Sequence, residues 1–147
     1  MSDFGLDFTH LTFIRHGKAV AASDFYGNDF DRPLTEEGEK AVLEANLLLP
    51  KFTPPPELIL VSTALRTEET FRLLSYLRSG NPIILKLDAL YDCHAGGLYN
   101  LLAENKGEAK VAAIIGHNPA LSQLCSILSG EFTGLAPAAF RTLQFER

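Results

Sequence analysis

Four short apolar runs constrain this 147-residue chain most: "LTFI" (11–14), "ELILVS" (57–62), "PIILKL" (82–87) and "KVAAIIGH" (110–117). Each contains β-branched residues and lacks the alternation of a half-exposed strand, so each reads as a strand covered on both faces. A fifth run, "FRTLQFE" (140–146), does alternate, with Phe140, Thr142 and Gln144 opposite Leu143 and Phe145. Helical periodicity fills the gaps. Ala41, Val42, Ala45, Leu48 and Leu49 make one stripe over 35–49, surrounded by Glu36, Glu37, Glu39, Lys40 and Glu44. Thr67, Phe71, Leu74 and Leu77 share a face over 64–78, and Leu121, Leu124, Cys125 and Leu128 do so over 119–129; a shorter helix is expected around 97–105. Thr35 is placed to cap the first helix, and two acids follow in its first turn. Asn118, Pro119 and Gly130 mark the start and stop of the last helix. The alternation predicts an α/β fold: a three-layer α/β/α sandwich with a mostly parallel sheet and right-handed crossovers.

The length suits one domain over 1–147, and 46% apolar with 21% charged residues suits an ordinary core. "TPPPE" (53–57) reads as a stiff connector. A net charge of −5 argues against nucleic acid and anionic lipid as partners, though it permits a local basic pocket. No apolar run approaches the roughly 18 residues needed to span a bilayer. The first eleven residues hold no lysine or arginine, so they are not expected to be a signal peptide. Two cysteines, Cys93 and Cys125, make no disulfide framework or metal-ligand spacing, and the expectation is a reducing cytoplasm.

In open α/β sheets ligands bind beyond the carboxyl ends of the strands. Three of the first four predicted strands end in polar groups: Arg15-His16-Gly17, Ser62 leading to Arg66 in the next helix, and Gly116-His117-Asn118-Pro119. Any one alone would read as a solvated rim. Together, on parallel neighbours, they would gather two arginines and two histidines on one patch. That set suits a phosphoryl dianion, because guanidinium forks match its charge and oxygens and a helix start adds backbone donors. A neutral imidazole can attack phosphorus. Gly17 would let the backbone approach the ligand or take φ > 0. His10 and His94 fall at no such position, and no cluster has the spacing of a metal site.

The motifs resemble those of the histidine phosphatase superfamily, with its phosphoglycerate mutase-like fold, and within it the small SixA-like phosphohistidine phosphatases. "RHGKA" (15–19), "DRPLTEEG" (31–38), "VSTALRTEET" (61–70), "ALYD" (89–92) and "IIGHNPALS" (114–122) carry the resemblance, which spans about 11–146. It implies that His16 is the nucleophile, that Arg15, Arg66 and His117 bind the transferred phosphoryl with help from Gly17 and Asn118, and that no metal or other cofactor is needed. It also raises Asp92 as a proton donor, at a position where larger relatives carry glutamate; Asp92 reads equally as a turn or cap residue before Gly96-Gly97. Little chain is available for a lid, so the site is expected to be open. The loop "ASDFYGNDFD" (22–31) would flank it, its aromatics meeting a partner or packing the loop down. The expected partner is a phosphohistidine-bearing signalling protein. The alternatives are a small phosphoester metabolite, a mutase substrate, or a phosphorylated partner merely bound without turnover.

Overall fold

The computed structural model describes residues 4–146; residues 1–3 and 147, the ends of the expected domain, lie outside the described residues. Five strands, β1 (His10–Arg15), β2 (Leu58–Ser62), β3 (Ile83–Leu87), β4 (Val111–Gly116) and β5 (Phe140–Gln144), form one sheet in the order β3-β2-β4-β1-β5. The first four run parallel, and β5 joins the edge beside β1 antiparallel. β2 and β4 are buried throughout, as their unbroken apolar runs predict. β3 is partly exposed because it lies at the opposite edge.

Alternating strand residues feed two cores. Leu11, Phe13, Leu58, Leu60, Ala112 and Ile114 pack under α3 (Ala95–Asn105) and α4 (Ala120–Ser129), which supply Leu98, Leu102, Leu121 and Leu124. Ile14, Ile59, Val61, Ala113 and Ile115 face α1 (Glu36–Leu48) and α2 (Leu65–Leu73), which supply Val42, Ala45 and Phe71. The three-layer sandwich expected from periodicity is therefore present, with two helices on each face. Among the described residues no helix is long and apolar enough to cross a membrane.

Local chemistry explains the helix limits. Thr35 Oγ1 accepts the Gly38 N–H at 2.9 Å and caps α1. The helix expected over 64–78 breaks instead at buried Leu74 and resumes as a 3₁₀ turn, Ser75–Arg78. Arg78 donates to the Phe71 and Arg72 carbonyls, satisfying the end of α2. Gly130, at φ 74°, closes α4. Pro119 lies just before α4, and the Asn118 side chain accepts the Ser122 N–H at 3.3 Å.

The connection from β1 to α1 is pinned by two glycines. A Cβ on Gly38 would lie 2.2 Å from the Lys18 carbonyl oxygen, and one on Gly17 would lie 2.7 Å from Val42 Cγ2. Helix propensity alone makes Gly38→Ala stabilising by about 1 kcal/mol. Backbone contact reverses the sign, and we expect a loss of about 1–3 kcal/mol in denaturant unfolding. A more stable Gly38→Ala protein would contradict this packing.

Candidate active site

The order β2-β4-β1 sets three carboxyl ends side by side. A cavity of about 330 Å³ opens there, lined by Arg15, His16, Lys18, Ala19, Arg32, Arg66, His117, Asn118 and Pro137. An acidic chain thus concentrates three guanidiniums and an ammonium at one end of its sheet. No helical subdomain covers this end among the described residues; the path from His16 to α1 holds two 3₁₀ turns, Ala22–Asp24 and Asp29–Asp31.

His16 is 9% exposed, and its backbone is fixed on both sides. Its N–H donates to the Gly116 carbonyl at 3.3 Å, and its carbonyl accepts the Ala138 N–H at 2.9 Å. Its Nδ1 lies 2.7 Å from the Gly17 carbonyl oxygen, which can only accept. The proton therefore resides on Nδ1, and Nε2 keeps its lone pair. Burial lowers the imidazole pKa to about 4; Arg66, Arg15 and Arg32 push the same way and the Gly17 hydrogen bond opposes them. His16 is thus a neutral, oriented imidazole at neutral pH.

His117 stands beside it, with ring centroids 5.2 Å apart. Its Nε2 lies 2.8 Å from Ser62 Oγ at the end of β2. Ser62 Oγ also accepts the Ala64 N–H at 3.4 Å. Burial, then His16 and Arg66, lower its pKa to about 3.

The arginines are held at one edge and open at another. Arg15 Nη1 donates to the Leu135 carbonyl at 3.1 Å. Arg66, its side chain 8% exposed, donates from Nη1 to the Asp29 carbonyl at 2.8 Å and from Nη2 to Asp29 Oδ2 at 3.1 Å. The Nε atoms of both Arg15 and Arg66 are buried and have no hydrogen-bond partner. Unpaired buried donors are costly and uncommon. Here both belong to guanidiniums that line one cavity, and a tetrahedral oxyanion has the charge and oxygens to satisfy them.

The sequence reading brings Arg15, His16, Arg66, His117 and Asn118 to this cavity, and the structure corrects two finer points. Gly17 neither adopts positive φ nor offers its N–H to the cavity: the N–H goes to Thr70 Oγ1 at 3.0 Å, and close packing on Val42 demands the glycine. What Gly17 gives the site is its carbonyl. Asp92 is exposed and does not line the cavity; its neighbour Tyr91 packs edge-on against His117 at 5.6 Å. Asn118 lines the cavity, but both ends of its amide already brace the chain, Nδ2 on the Leu135 carbonyl and Oδ1 on Ser122. Of the loop aromatics, Phe30 packs on Tyr91 with centroids 5.0 Å apart, while Tyr26 is fully exposed. Sequence reasoning passed over Arg32, Asp29 and Tyr91. Arg32 stood inside the quoted "DRPLTEEG", and a guanidinium fixed before a proline was the signal available.

Comparison with known proteins agrees with this geometry. Residues 11–118 match the histidine phosphatase superfamily (branch 1), and the chain belongs to that family. A solved structure assigned as the phosphohistidine phosphatase SixA of Agrobacterium tumefaciens is 27% identical, with a TM-score of 0.80 over 93% of this chain and 92% of that one. The protein histidine phosphatase SixA complexed with tungstate is 25% identical, with a TM-score of 0.72 over 90% and 86% of the two chains. The α-ribazole phosphatase of Shigella flexneri shares the fold at 17% identity and a TM-score of 0.71, covering 94% and 91%. None of the curated proteins searched matches the chain. The sandwich is the phosphoglycerate mutase-like fold, and the chain is a phosphatase of this class.

The two depressed histidines set a pH dependence. Between the ordinary value of 6.5 and the folded values of about 4 and about 3, the unfolded chain binds protons that the folded chain refuses. Unfolding free energy therefore rises with pH across that window and is lost as pH falls through it. Urea unfolding at pH 7 and pH 4.5 should show this loss in the wild type and a smaller loss in His16→Asn. An equal loss in both would contradict the buried neutral imidazole.

Proposed function

We propose that the protein removes phosphoryl groups through a phosphohistidine intermediate on His16, taking them from phosphohistidine on a signalling or phosphorelay protein. The observation that carries this is the neutral His16, its proton committed to the Gly17 carbonyl, beside two guanidiniums with unpaired Nε donors. Nε2 attacks phosphorus, the bond from phosphorus to the leaving atom breaks, and its electron pair leaves with the substrate. Arg15, Arg66, Arg32 and His117 surround the equatorial oxygens and take their charge, the largest source of stabilisation in sites of this kind. Water then attacks the phosphorylated His16, the P–N bond breaks back onto Nε2, and phosphate leaves.

Two features favour phosphohistidine over an ester. Among the described residues no subdomain covers the site, so a side chain projecting from another protein can enter. Among the described residues no carboxylic acid lines the cavity, and imidazole leaves from phosphorus with less acid assistance than an alkoxide, for which a general acid contributes about 10²–10⁴-fold. The two SixA relatives, one of them a complex with the tetrahedral oxyanion tungstate, support the same reading. The α-ribazole phosphatase keeps a small phosphoester as the second reading. The free thiols of Cys93 and Cys125 suit a reducing cytoplasm.

Turnover of a phosphohistidine-bearing protein and of a panel of small phosphoesters, with wild type, His16→Ala, Arg66→Ala and Asp92→Asn, tests the assignment. His16→Ala should abolish turnover, Arg66→Ala should lower kcat by about 10²–10³-fold, and Asp92→Asn should leave phosphohistidine turnover unchanged. Strong ester hydrolysis that depends on Asp92 would move the substrate to a small metabolite. Phosphate binding without turnover, unaltered in His16→Ala, would make the site a docking pocket.

A further inference from the structure

Asp29 lies in the loop over 22–31, quoted above for its aromatics, and does not line the cavity, yet among the described residues it touches more of the site's machinery than any other carboxylate. Its Oδ2 accepts from Arg66 Nη2 at 3.1 Å and from the Tyr91 hydroxyl at 2.5 Å. Its Oδ1 accepts from Arg32 Nε at 2.9 Å and lies 2.8 Å from Arg32 Nη2. Its backbone carbonyl accepts from Arg66 Nη1 at 2.8 Å. One residue therefore occupies the Nη1–Nη2 edge of Arg66 and the Nε–Nη2 edge of Arg32. The hydroxyl of Tyr91, whose ring packs on His117 and lies under the Arg66 guanidinium, braces the carboxylate.

The choice of edge matters. A guanidinium is planar, so fixing one edge fixes the direction of the others. With Nη1 and Nη2 of Arg66 held by Asp29, the guanidinium is fixed at the cavity wall, and its Nε is the nitrogen left without a partner. Arg32 is held twice over, since its Nη1 donates to the Val20 carbonyl at 2.6 Å. Asp29 also lies between two like charges and offsets their repulsion before any dianion arrives. It keeps its own charge at all working pH values, with its pKa lowered to about 2, first by Tyr91 and then by Arg32 and Arg66.

We infer that Asp29, braced by Tyr91, is a positioning residue: it anchors Arg66 and Arg32 by their far edges so that their remaining donors meet the phosphoryl group. This deepens the phosphatase reading and rests on it. The alternative role for the same carboxylate is an internal competitor that occupies the guanidiniums until substrate displaces it. The two roles predict opposite signs. An anchor, when lost, weakens oxyanion binding; a competitor, when lost, strengthens it.

The test compares wild type, Asp29→Asn, Asp29→Glu, Tyr91→Phe and the double variant Asp29→Asn/Tyr91→Phe. Turnover is read on a phosphohistidine-bearing protein, and binding is read with orthovanadate and inorganic phosphate. The Asp29 side chain is 49% exposed, so the substitutions leave the core intact. Asp29→Asn should lower kcat on the order of a hundredfold, as misplacing a reacting group does. It should weaken vanadate more than phosphate and leave the thermal midpoint in place. Asp29→Glu should recover part of the loss. Tyr91→Phe should act more weakly in the same direction, and the double variant should be no worse than Asp29→Asn alone, as for two members of one network. Unchanged kcat, tighter vanadate or phosphate binding in Asp29→Asn, additive effects in the double variant, or a kcat loss explained by partial unfolding at the assay temperature would each overturn the inference. The vanadate measurement needs no turnover, so it reads Asp29 even if no substrate is hydrolysed, an outcome that would sink only the phosphatase reading.

Discussion

Three guanidiniums, Arg15, Arg32 and Arg66, share one small cavity with Lys18 in a protein whose net charge is −5. Positive charges this close repel one another, and the repulsion grows as water is excluded. The site contains the repulsion with backbone carbonyls at Val20, Asp29 and Leu135, with the Asp29 carboxylate between Arg32 and Arg66, and with the Glu37 carboxylate on Lys18. The same field and the same burial keep His16 and His117 unprotonated. An imidazole with a free lone pair and a pocket suited in charge to a dianion are thus two results of one charge arrangement.

The sheet makes this arrangement rigid. Arg15 ends β1 and His16 follows it, His117 follows β4 and Arg66 lies in the first turn of the helix after β2, so hydrogen-bonded neighbours hold the strands that carry all three segments. Cross-links finish the frame: Thr70 on α2 accepts the Gly17 N–H and donates to the Arg66 carbonyl, and Glu69 accepts the Leu34 N–H. Sites carried on strand ends and first helical turns are held more tightly than sites on free loops. Asp29 and Arg32 come from the long β1–α1 connection, and they are fastened chiefly to each other and to Arg66.

Much of this was legible in the residues. Unbroken apolar runs marked the strands buried on both faces, and the polar residues at three strand ends marked where the site would form. What escaped was long-range. The antiparallel pairing of β5 is set by a return path that periodicity does not encode. The break at Leu74 follows from tertiary contacts and from Arg78 capping α2. Gly17 read as a position of backbone freedom, but it and Gly38 are tight-packing positions, because the Cβ atoms they lack would meet Val42 and Lys18. Asp92 drew attention as an acid beside a motif, whereas the aromatic residue before it makes the contacts. Asp29 looked like one acid among several in a polar loop, and only the fold shows it between two arginines.

The central claim is that His16 presents Nε2, and not Nδ1, to phosphorus. Brief incubation of the protein with a radiolabelled phosphohistidine donor, rapid quenching in base and peptide mapping would locate the trapped phosphate and its ring nitrogen. The account predicts acid-labile phosphate on residue 16, bonded to Nε2. Phosphate on Nδ1 of His16, on His117 or on any other residue would contradict it.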